Sequence, residues 1–123
     1  MPVINQRDVY LLPFPFGDEN GEPHPYIILS INDANMQENS FQAVMITSST
    51  YKDDFSFKLT DEMFDKPLEK SNCHVRMHLI ILGLNEHILN PNLKPFCRMK
   101  KYYFDQLMRT IGELVFNYDF SPL

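Results

Sequence analysis

Positive charge is scarce in this chain. Lys and Arg number 11 against 16 Asp and Glu, a net charge of −5 over 123 residues, and the isoelectric point lies near 5.2. That balance argues against a surface built wholly for nucleic acid, because phosphate binding is driven by Lys and Arg. A local basic patch on an acidic chain remains compatible with it, and Lys66, Lys70, Arg76, Lys94, Arg98, Lys100, Lys101 and Arg109 all fall in the second half. Long apolar runs are missing too. None approaches the roughly 20 residues that a membrane helix needs, and the opening MPVINQRD lacks the basic and apolar regions of a signal peptide. A cytoplasmic protein with no membrane partner is expected. Cysteine is limited to Cys73 and Cys97, expected reduced and acting as small apolar filler. No Cys-x-x-Cys pair exists, and Cys73 and His74 fall on opposite faces of one strand, so no metal site is expected. The chain has no phosphate-binding glycine loop, no nucleophile elbow, no heptad run, no internal repeat and no linker.

What is present is ordinary for a globular protein, at 44% hydrophobic and 22% charged. The length suits one domain over residues 1–123. The stretch DVYLLPFPFGDENGEPHPYIILS organises the rest. Its apolar ends read as strands over residues 7–12 and 26–31. Between them, Pro13, Pro15, Gly17, Gly21, Pro23 and Pro25 predict a long loop over residues 14–25. Asp18, Glu19 and Glu22 look like a solvated loop tip. Residues 1–6 read as a loose lead-in, and the polar run 32–39 as a loop. Further strands are expected over 41–47, 53–59, 72–84 and 96–99, with helical turns near 60–66 and 86–89. The segment 100–115 is the one long amphipathic helix, with Tyr103, Phe104, Leu107, Met108, Ile111, Leu114 and Val115 on its apolar stripe. Strands followed by one helix predict a mainly β, α+β domain built as a small barrel.

Three places could carry chemistry. His24 is held between Pro23 and Pro25, which restrict its backbone, and imidazole exchanges a proton near neutral pH; a solvated loop histidine is the plain alternative. Thr47 and Ser48 end a strand, where a hydroxyl can donate to a phosphate oxygen or simply open a turn. His74 and His78 share a strand face with Arg76, a small patch for an anion.

The run DVYLLPFPFGD, then a glycine, then a residue before proline and YIILS, resembles the opening of the PemK/MazF-like toxin ribonucleases of type II toxin–antitoxin systems. The segment Val44-Met45-Ile46-Thr47-Ser48 resembles that family's second block, and Leu68-Glu69-Lys70-Ser71 its third. The resemblance covers nearly the whole chain. It implies an SH3-like β-barrel with a C-terminal helix, usually a homodimer, that cuts single-stranded RNA without metal or cofactor and is bound by a cognate antitoxin peptide. No DNA partner is expected for this chain alone. It further implies catalytic roles for His24 and Thr47, and RNA contacts from Ser48, Arg76 and an aromatic such as Phe14 or Phe16, stacked on a base. Two positions depart from the family pattern. Arg7 stands where the family has glycine, and His24 where it has the catalytic arginine. Because arginine is a fixed cation and histidine is not, a second reading keeps the fold without cleavage, as a protein- or RNA-binding module.

Overall fold

In the computed structural model, residues 3–13, 16, 20–50, 52–88 and 93–121 are described. Phe14, Pro15, Gly17, Asp18 and Glu19, on which the expected loop tip and one stacking aromatic fall, lie outside them.

Six strands form one antiparallel sheet: β1 (Asp8–Pro13), β2 (Pro23–Ile28), β3 (Ser40–Thr47), β4 (Ser56–Lys58), β5 (His74–Leu84) and β6 (Cys97–Arg98). Their spatial order is β4-β5-β3-β2-β1-β6. A short helix, α1 (Asn32–Glu38), joins β2 to β3, and the long helix α2 (Lys101–Leu114) follows β6. This is the mainly β architecture with a C-terminal helix that the sequence predicts.

Side chains alternate across a strand, and here both faces are covered. Val9, Ile27, Val44 and Val75 pack on one face with Phe104, Leu107 and Ile111 of α2. Tyr10, Leu12, Tyr26, Ile28 and Phe41 pack on the other with Ile4 and Ile88. Apolar runs without polar alternation in β1 and β2 follow from that double burial.

Four local expectations change. The lead-in is fixed rather than loose: Ile4 is buried, and Gln6 donates from its backbone to Asn32 Oδ1 (2.8 Å) and from its side chain to Leu29 O (2.8 Å). The run 32–39 is a helix, because buried Asn35 donates to Ile4 O and Ser30 O and accepts from the Ser30 hydroxyl. These bonds outweigh the turn preference of its asparagines. Asn39 then ends α1 at φ 52°, the left-handed geometry asparagine tolerates. Strand β2 begins at Pro23, inside the expected loop, pairing Leu12 with His24. Its pairing with β3 covers only Tyr26–Ile28, so on that side Pro23–Pro25 is a sheet edge, where a missing N–H forfeits no ladder bond. Finally, β5 changes register against β3, from Ile46↔Val75 to Val44↔Ile80. The shift swaps faces: Leu79 is exposed while Ile80 packs on the helix-covered core.

Candidate functional site

The site follows from where β2 and β3 stop pairing. Tyr26 faces Met45 in their ladder. Two residues further the same register would set His24 opposite Thr47, but the ladder has ended and the strands part. A cavity of about 170 Å³ opens there, lined by His24, Thr47 and Ser48 with Ile46 at its base. The segment before β5 closes another side with Leu68, Glu69, Lys70 and Cys73, and Phe96, just before β6, forms a further wall.

Each wall has a structural reason. Phe96 is pinned by its backbone N–H to Val9 O (2.7 Å), and the Lys66 ammonium stands 4.5 Å from its ring centroid. The Cys73 thiol donates to Lys70 O (3.1 Å), which ties the Lys70 backbone to the start of β5. Burial pushes that thiol's pKa up, against the opposing pull of the Lys70 ammonium and with a small push from Asp61. Cys73 therefore stays a thiol at neutral pH and serves as a wall, not a nucleophile. Thr47 Oγ1 accepts the Ser49 N–H (3.1 Å). The Thr47 hydroxyl proton is not consumed by that bond, so the group keeps a donor.

Of the five residues expected at the site, the cavity gathers His24, Thr47 and Ser48. Phe16 lies elsewhere: its ring packs 5.0 Å from Tyr26 and 5.9 Å from Phe41 and His87 by centroids, on the second core cluster. Arg76 pairs with Ser56 across β4 and β5 and does not line the cavity. His74 is fully buried, which removes it from the surface patch imagined with Arg76 and His78. Lys70 and Glu69 are the charged groups that residue-level reasoning did not place here. Their signal lay in the third block, whose position before β5 carries them to the end of β3 through the pairing Thr47↔His74. Among the described residues no three His, Cys, Asp or Glu side chains converge as a metal site, and no helix is long and apolar enough to cross a membrane.

Residues 5–115 match the family described as the PemK-like, MazF-like toxin of type II toxin–antitoxin system. The chain belongs to this family. No curated protein matches it in sequence. Solved PemK/MazF-like structures share its fold. MazF from Deinococcus radiodurans is 17% identical with a TM-score of 0.65, over 94% of this chain and 98% of that one. A MazE–MazF structure from the same organism is 15% identical with a TM-score of 0.65, over 94% and 97%. An endoribonuclease in complex with its cognate antitoxin, from Mycobacterial species, is 12% identical with a TM-score of 0.67, over 98% and 100%. His24 and Thr47, the two residues for which the resemblance implies catalytic roles, line one cavity.

Proposed function

We propose that this PemK/MazF-like toxin is an endoribonuclease that cuts single-stranded RNA in the cavity between β2 and β3, with neither metal nor cofactor in the reaction. The observation that carries the reading is the meeting of an imidazole, two hydroxyls and an ammonium, from His24, Thr47, Ser48 and Lys70, in one cleft. RNA brings its own nucleophile. Its 2′-oxygen attacks the adjacent phosphorus, the bond to the 5′-oxygen breaks, and a cyclic phosphate is left with a free 5′-hydroxyl. Cleavage requires that the 2′-hydroxyl lose its proton, that charge on the phosphorane be steadied and that the leaving oxygen gain a proton. His24 takes the 2′-hydroxyl proton as the base, and the leaving 5′-oxygen takes its proton from solvent water. The fixed charge that arginine supplies in the family comes here from Lys70, and Thr47 donates a hydrogen bond to a phosphate oxygen. Phe96 replaces Phe16 as the aromatic beside the cut. By analogy with the solved complexes, a cognate antitoxin peptide is the protein partner; the family resemblance adds that the working unit is a cytoplasmic homodimer.

Single-turnover cleavage of a short RNA pool in EDTA, from pH 5 to 9, tests this. His24→Ala should lose about 10²-fold or more, the usual share of acid–base catalysis, and His24→Arg should remove the acid limb of the pH profile. Lys70→Ala should lower the rate on the order of 10²-fold and leave that limb in place. A His24→Ala protein as active as the parent removes His24 from the mechanism. No cleavage at any pH gives the protein to the binding-module reading, which the apolar lining residues Leu11, Pro25 and Leu68 favour.

A further inference from the structure

The cavity does not end at Lys70. Ser48, Glu69 and Lys70 also line a second, more open groove of about 660 Å³, completed by Ser49, Thr50, Lys52 and Ser71. The pairing Thr47↔His74 lays the segment after β3 beside the segment before β5, so two stretches distant in sequence present their short polar side chains together. Asn72, at φ 57°, turns the second stretch into β5. The groove is built from hydroxyls and two ammonium groups. Glu69 supplies an opposing charge at its border with the cavity. Asp53 and Asp54 follow Lys52, but Asp53 Oδ1 is engaged by the Phe55 N–H (2.9 Å) and stands 3.4 Å from the Ser56 hydroxyl.

We infer that this groove is a second phosphate subsite, which receives the phosphate of a neighbouring nucleotide through Lys52 and the hydroxyls of Thr50 and Ser71. The inference rests on the RNA reading of the adjoining cavity and extends it. Hydroxyls donate to phosphate oxygens and a lysine meets them as a point charge. Glu69 repels phosphate, which separates the two phosphate positions and holds the strand in register. The strand therefore leaves the cavity past Lys70 toward Lys52.

The test uses the whole protein and 2′-fluoro oligonucleotides, which lack the attacking hydroxyl, so binding is read without cleavage. Fluorescence anisotropy across a salt series gives a slope of log affinity against log salt, to which each phosphate contact on a single strand contributes about 0.7. For a pentanucleotide, Lys52→Ala should reduce the slope by about 0.7, Lys52→Arg should keep it, and Lys101→Ala, outside the groove, should keep it as well. For a dinucleotide, parent and Lys52→Ala should bind alike. An unchanged pentanucleotide slope in Lys52→Ala, or no binding by the parent, overturns the subsite. Cleavage of natural RNA is measured in parallel. Cleavage with an unchanged slope retains the nuclease and discards the subsite, whereas a Lys52-dependent slope without cleavage retains the subsite and discards the nuclease.

Discussion

Arg7 and Asp8 show how much one backbone position can ask of a side chain. Arg7 sits at φ 78°, a left-handed geometry that costs a residue with a Cβ about 1–3 kcal/mol, and this is the position where the family pattern has glycine. The strain is held by three bonds: its N–H donates to Ile28 O (2.9 Å), its carbonyl accepts from Met99 N–H (2.9 Å), and its guanidinium donates to Met99 O (3.2 Å). Asp8, the next residue, is almost wholly buried. Burial holds its carboxyl above the ordinary 3.8, and nearby Asp65 pushes the same way. Arg98, the Asn5 amide and Arg7 pull it down. The native state thus keeps a proton that the unfolded chain releases, so Asp8 contributes stability at low pH that is lost as pH rises from about 3.8 through the higher native pKa. Arg98 is the strongest of the opposing pulls but does not overcome burial, since the pair is 3.8 Å apart and Arg98 is nearly half exposed. Asp8→Asn should remove that pH step. In urea unfolding, stability relative to the parent should be more favourable at pH 7 than at pH 3; an equal difference at both would show that the carboxyl does not titrate in this window.

Between elements, one tight fit lies where β3 pairs with β5. Phe41 faces Gly83 in the ladder, and its ring lies over the glycine so closely that an added Cβ would come within 2.3 Å of the ring tip. Glycine is needed here for the approach, not for its backbone freedom. Gly83→Ala should cost about 1–3 kcal/mol, as overpacked cores do. Adding Phe41→Leu should recover part of that loss, because the two residues share one space. Additive losses in the double variant would mean that the ring can step aside. Elements differed in how plainly the sequence announced them. β1, β3 and α2 were legible from apolar periodicity. Helix α1 was not, because its stabilising partners, Ile4 and Asn85, are distant in sequence, with Asn85 donating to Asn35 O (2.7 Å). The start of β2 was masked by its prolines, whose harmlessness depends on a sheet edge that only topology creates. For the site, the local blocks named His24, Thr47 and Ser48. Lys70 and Phe96 needed the three-dimensional path of the chain.

At the scale of the molecule, apolar surface is left over. Leu82 is 64% and Leu84 47% exposed at the end of β5, and Met36 is 61% exposed on α1. Leu82 and Leu84 share the strand face of Ile80, so the cover over that face stops short of the end of β5. Self-association would bury it. Multi-angle light scattering at micromolar concentration should give twice the chain mass of 14.5 kDa, and Leu82→Glu should shift the population toward monomer without unfolding it. A monomer at every concentration would refute the dimer.

The strand order also sets a timetable. The first strand of the sheet lies beside the last, β1 against β6, with Val9 facing Cys97 and Asp8 facing Arg98. During synthesis the chain emerges from its N-terminus, so β1 must wait for its outer neighbour until Cys97 and Arg98 have left the ribosome, after all the other strands. Phe96 closes the cleft from that same late segment. A nascent chain that already carries His24, Thr47 and Lys70 still lacks one wall of the cavity and the helix that covers its core. The candidate cleft is thus completed only after the segment that carries Phe96 has joined β1.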